Sequence, residues 1–89
     1  MEVTLLTQEN RSFCERAKEV LHRLSGEYPV SVRELDLGSP EGQALARRGE
    51  VMFPPGILLD GEPFSYGRPS ERKLRRELKR RLGDARTSR

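Results

Sequence analysis

A three-layer α/β/α domain, with a mixed four-stranded sheet and the element order β-α-β-α-β-β-α, is the fold class that this 89-residue chain predicts. Three observations predict it. The apolar run Val3-Thr4-Leu5-Leu6 begins almost at the first residue, as a buried central strand does. Strand-like and helix-like periodicities then alternate, so the first two strands are joined through a crossover helix and lie parallel, in a right-handed unit. Asp60-Gly61, between two short strand-like runs, is the preferred pair for a tight hairpin turn and makes the last two strands antiparallel.

Each element has its own local justification. Val3–Leu6 is the first strand, followed by the polar turn Thr7-Gln8-Glu9-Asn10-Arg11. Ser12-Phe13-Cys14-Glu15 fits the S-x-x-E capping box, in which serine and glutamate satisfy backbone N–H groups at a helix start. Phe13, Ala17, Val20, Leu21 and Leu24 share one face at three- and four-residue spacing, and Gly26 closes this first helix. Val30–Leu37 reads as the second strand, although its alternation slips between Val32 and Leu35, which implies a bulge or two buried faces. Ser39-Pro40-Glu41 starts a short second helix, cap followed by proline at the first position, and Gly49 stops it after Ala44, Leu45 and Ala46. Pro54-Pro55-Gly56 is a rigid turn into Ile57-Leu58-Leu59, the third strand, and Pro63–Tyr66 is the fourth. The last helix runs from Ser70 to about Leu82 with Leu74, Leu78 and Leu82 as a narrow apolar stripe. Residues 1–82 thus form one domain, and Gly83 begins a flexible basic tail, 83–89.

Composition limits the function classes. Charged residues make up 35% of the chain and hydrophobic ones 34%, a lean core under a heavily charged surface. No apolar run approaches the roughly 18 residues of a membrane span, and the first residues lack the basic and apolar regions of a signal peptide, so the expectation is a soluble cytoplasmic protein without membrane contact. Cys14 is the sole cysteine and His22 the sole histidine. An internal disulfide is therefore excluded, no metal site is expected, and any redox chemistry must involve a second molecule. The net charge of +3 is unevenly spread: ten Lys/Arg against three Asp/Glu from Arg68 to Arg89 give +7 there, leaving −4 for residues 1–67.

Three short motifs carry a family resemblance. Arg11-Ser12-Phe13-Cys14, then Glu15-Arg16-Ala17-Lys18-Glu19-Val20-Leu21, resembles the C-P-Y-C followed by x-x-A-K-x-L after the first strand in glutaredoxins: the aromatic, the second cysteine and the Ala-Lys pair match in register. Pro54-Pro55-Gly56-Ile57-Leu58-Leu59-Asp60-Gly61 resembles the family's V-P-x-I-F-I-x-G, whose proline is cis and faces the active site. Phe64-Ser65-Tyr66-Gly67-Arg68-Pro69-Ser70 looks like the corresponding segment of the glutaredoxin-like electron donors of ribonucleotide reductase, and Gly67-x-x-Ser70-x-x-x-Leu74-x-x-x-Leu78 like the end of thioredoxin. The resemblance spans about residues 2–82. It implies the thioredoxin fold in its glutaredoxin-like form, with Pro55 as the cis proline, and a role in thiol redox homeostasis.

The departures bear on chemistry. In the family the first motif cysteine is the nucleophile, exposed at a helix N-terminus that lowers its pKa, and the second resolves the mixed disulfide. Here the first position is Arg11 and only Cys14, at the resolving position, remains. The family's glutathione-contacting lysine matches Gln8, and its Gly-Gly-x-Asp-Asp anion site has no counterpart. Dithiol exchange is excluded, which leaves at most a monothiol oxidoreductase.

Two readings of the site stay open. In one, Ser12 caps the helix and Cys14, its second residue, sits among unpaired N–H groups and near the Arg11 guanidinium, which together favour a thiolate. Arg11, Ser12, Phe13 and Pro55 then frame a site for an anionic thiol such as glutathione, a co-substrate, or for a protein disulfide, with no cofactor required. In the other, Cys14 is a small buried hydrophobe. The chain is then a redox-inactive binding module that docks an acidic protein through Arg72, Arg75, Arg76, Lys79 and Arg80 on its last helix. That helix has no aromatic residue to stack on bases, which disfavours sequence-specific nucleic-acid recognition. His22 lies eight residues from Cys14, about 12 Å along a helix, too far to serve as its base.

Overall fold

Capping chemistry and apolar spacing account for most element boundaries. The computed structural model describes residues 1–9 and 11–83, in the order β1 (Glu2–Thr7), α1 (Ser12–Ser25), β2 (Ser31–Asp36), α2 (Pro40–Arg48), β3 (Gly56–Leu59), β4 (Glu62–Tyr66) and α3 (Glu71–Leu82). Asn10 of the expected turn and residues 84–89 of the expected tail lie outside the described residues. Ser39 caps α2 by accepting the Gly42 N–H at 3.0 Å, and Ser70 caps α3 by accepting the Lys73 N–H at 3.2 Å.

The capping box at Ser12 does not form. Arg11 is the N-cap residue of α1, in an extended conformation (φ −121°, ψ 122°), and makes no side-chain cap bond. Its carbonyl accepts the N–H groups of both Cys14 (3.0 Å) and Glu15 (3.1 Å), so the first turn closes one residue earlier than the box requires. Ser12 becomes the first helical residue and Cys14 the third.

The strand order is β2-β1-β3-β4, with β1 parallel to β2 and antiparallel to β3, and β3 antiparallel to β4. Asp60 (φ 49°) and Gly61 (φ 84°) both occupy the left-handed region, as the two central residues of a tight hairpin turn must. Val3 pairs with Leu59 and Leu5 with Ile57, which puts these four side chains on one face of the sheet. That face carries the main core: they pack with Ala17, Val20, Leu21 and Leu24 of α1, Tyr28, and Leu74 and Leu78 of α3.

The opposite face carries Thr4, Leu6 and Leu58 and is covered by α2, which crosses the whole sheet. Its first turn abuts β2, where a Cβ on Gly42 would stand 2.2 Å from the Asp36 carbonyl oxygen, and its far end reaches β4, where Gly49 lies against Pro63. Within α2 Gly42 is buried and Leu45 and Ala46 are partly buried, so this helix buries less than α1 or α3 does on the other face.

The second strand differs from expectation. It shows neither a bulge nor two buried faces: β2 pairs with β1 in unbroken register from Ser31 to Asp36. It is a sheet edge, with Val32 37% exposed and Leu35 only partly buried, so its apolar residues need not alternate. The sheet's irregularity lies instead between β3 and β4, where Ile57 pairs with Ser65 and Leu58 with Pro63. Phe64 is the extra residue, and it packs half-buried against the core. Among the described residues no helix is long and apolar enough to cross a membrane.

Candidate functional site

The thiol and the proline loop occupy the end of the sheet where β1 runs into α1 and β3 begins. Cys14 has no exposed surface. It stands on the buried stripe of α1 with Ala17, Val20, Leu21 and Leu24, three and four residues apart, so the amphipathic period of the helix turns its side chain inward. Phe13, expected on that apolar face, is not part of it: Cys14 takes the buried place in the first turn, and Phe13 is 45% accessible, exposed like Arg11 and Ser12. The N–H of Cys14 is not an unpaired donor of the helix start, because it is spent on the Arg11 carbonyl.

The Pro54–Pro55 peptide is cis and Pro55 is fully buried. Two contacts hold this loop in place. The Pro55 carbonyl accepts the Gly67 N–H at 2.8 Å, and Gly56 pairs with Leu6 at a point where a Cβ would stand 2.9 Å from a Val51 methyl. Phe53 meets Tyr66 edge to face, with ring centroids 5.3 Å apart, and lies against Gly67, whose φ of +80° a glycine adopts freely. Met52, Phe53 and Tyr66 are 71%, 57% and 43% exposed, an apolar surface beside the loop.

Of the expected site residues, the structure brings Ser12 and Phe13 together in one shallow depression of about 250 Å³, closed by Arg16 and Arg68. Sequence reasoning passed over both arginines. Arg16 was legible, since it follows Ser12 by four residues and Phe13 by three and so shares their helix face. Arg68 was not, because only the tertiary path of the β4–α3 loop brings it there. The depression offers two guanidinium groups and an aromatic ring, a combination suited to an anion with an apolar portion.

The basic helix sorts into two sets. Arg75 pairs with Glu27 and, at 2.8 Å, with Glu71, whose carboxylate also takes Arg23 of α1 at 2.7 Å. Arg80 and Arg81 both hold Glu77, and Arg81 also reaches Glu62 of β4 at 3.6 Å. Hydrogen bonds from Arg23 and then Arg75 lower the Glu71 pKa from its ordinary 4.5 to about 2, and those from Arg80 and Arg81 do the same for Glu77. The second set, Arg72, Lys73, Arg76 and Lys79, makes no ion pair among the described residues. Of the five cations expected to meet a partner, Arg75 and Arg80 are thus engaged within the fold, while Arg72, Arg76 and Lys79 present a stripe at four- and three-residue spacing away from Leu74 and Leu78. No three His, Cys, Asp or Glu side chains gather to hold a metal ion among the described residues.

Comparison with known proteins identifies the fold. No family model matches the chain, and no curated protein does. Among solved structures it is similar to a mutant thioredoxin from Halobacterium salinarum NRC-1, with a TM-score of 0.71 and 21% sequence identity over 91% of this chain and 74% of that one. The chain has the thioredoxin fold: a mixed four-stranded sheet between helices.

Proposed function

We propose that the chain is a glutaredoxin-like thioredoxin-fold protein in which the thiol site serves recognition, not dithiol exchange. Arg11 stands where a glutaredoxin carries its nucleophilic cysteine, and Cys14 where it carries the resolving one. The observation that carries this reading is the complete burial of Cys14. Disulfide exchange requires a thiolate to approach a sulfur atom in line, and a sulfur without accessible surface must first be uncovered by opening the start of α1. What remains presented to a partner is the surface around that site and the cations of α3 that make no ion pair among the described residues, Arg72, Arg76 and Lys79, which suit an acidic protein.

The depression lined by Ser12, Phe13, Arg16 and Arg68 favours a second reading. Its two arginines match the two carboxylates of glutathione. On that reading the Cys14 thiolate attacks the disulfide of oxidised glutathione or of a protein, forming a mixed disulfide and releasing one thiolate. An external thiol then releases Cys14 and takes its place in the disulfide.

Alkylation of Cys14 by iodoacetamide separates the two. The binding reading expects labelling of the native protein to run at least about a hundredfold slower than in denaturant, an opening of about 2.7 kcal/mol. Native labelling within a fewfold of the denatured rate would overturn it and establish an accessible thiol, as monothiol exchange requires.

A further inference from the structure

Away from the thiol, a cleft of about 370 Å³ runs between β4 and α3. We propose that it is a docking groove for an acidic peptide segment carrying one aromatic or aliphatic anchor. The proposal rests on the binding reading above and names where and how the partner is held.

Three features of the cleft converge on that ligand. Its floor is apolar: the irregular pairing of β3 and β4 sets Phe64 half-buried at the strand edge, between exposed Tyr66 and the buried Leu74 of α3. A hydrophobic side chain laid there removes apolar surface from water on both partners. The rim is cationic, formed by Arg68, Lys73 and Arg76, none of which has a carboxylate in ion-pair range among the described residues. Glu77, the one acid in the wall among the described residues, is neutralised by Arg80 and Arg81, so the field these residues set in the cleft is positive.

The third feature is the strand edge. β4 is the last strand of the sheet and among the described residues has no strand on its outer side, so an extended peptide can add to it through main-chain hydrogen bonds. Pro63 offers no N–H, which directs such pairing to Phe64–Tyr66, beside the cationic rim. A sugar-phosphate chain matches the charge but not this edge, which is why a peptide is the better fit.

The test is a fluorescence-anisotropy titration of the whole protein with a labelled peptide in which phenylalanine is flanked on each side by two glutamates. Binding should weaken about tenfold or more when the glutamates become glutamine, and again when the phenylalanine becomes serine. Lys73→Glu and Arg76→Glu should each weaken it about tenfold, Arg72→Glu and Lys79→Glu, on the same docking helix but outside the cleft, about threefold, and Arg47→Glu and Arg48→Glu, exposed on α2, less than about twofold. Amide resonances of residues 64–66 should shift on addition of the peptide. Equal losses at Arg72 and Lys79 would overturn the groove while leaving α3 as the docking face. No binding of any acidic probe would overturn both readings. Displacement of the peptide by an equal concentration of oligothymidylate would overturn the assignment to a peptide.

Discussion

Glu50 carries the left-handed backbone that ends α2, at φ 55°. The N–H of Val51 returns to the Ala46 carbonyl at 2.8 Å and that of Glu50 to the Arg47 carbonyl at 3.3 Å, a Schellman closure in which the residue two past the helix end turns left-handed. Glycine is favoured at that place. Glu50→Gly should therefore stabilise the fold by about 0.5–1 kcal/mol, read as a rise in the urea midpoint; an unchanged or lower midpoint would contradict it. The neighbouring Gly49 was legible as a stop signal, yet its job is different: it lets α2 lie against Pro63, a contact that only the folded chain creates. Ser12 shows the same limit. Its motif is a good capping box, but Ser39 and Ser70 cap their helices and Ser12 does not, because the Arg11 carbonyl takes the first-turn donors. The sequence stripe was drawn through Phe13 and left the direction of Cys14 open; Cys14, three residues before Ala17 and seven before Leu21, takes the inward place instead, and the completeness of its burial depended on packing.

Between elements, α1 and α3 are joined by the chain Arg23–Glu71–Arg75–Glu27. Glu71 and Glu77 are each held near 2 in the fold against an ordinary 4.5. The stability they contribute is present above about pH 4.5 and is lost as pH falls toward 2, since the unfolded chain takes up the proton first. Urea midpoints measured from pH 7 to 2 should decline mainly across that window. Glu71→Gln should lower the midpoint at pH 7 and make the decline shallower, and a variant as steep as the parent protein would exclude this linkage. None of the pairing was visible in the sequence beyond the intrahelical spacings of Glu71 with Arg75 and of Glu77 with Arg80 and Arg81. Likewise the slipped alternation of β2 was a true signal with an unforeseen cause. An edge strand that is only thinly covered tolerates Val32 and Leu35 on opposite sides.

At the scale of the whole molecule, element order and the right-handed crossover rule were enough to reach the architecture, because each element has its own start or stop chemistry and the hairpin at Asp60-Gly61 fixes the sense of the last pair. The site was less legible, since Arg68 and Phe53 reach the rest of it through loops whose course follows from packing, and Tyr66, at the end of β4, meets Phe53 only there. The two layers over the sheet are unequal. α1 and α3 bury seven side chains between them, whereas in α2 only Gly42 is buried and Leu45 and Ala46 are partly so. Hydrogen exchange should accordingly release the amides of residues 43–48 at least about tenfold faster than those of Ala17–Leu24, and uniform protection across the three helices would refute it. The thin layer also determines how the chain is dismantled. A protease or unfoldase that engages α2 should expose Leu6 and Leu58 while the Val3–Leu5–α1–α3 core still stands, so cleavage of the native protein is expected to follow how often one short helix lifts off more than global unfolding.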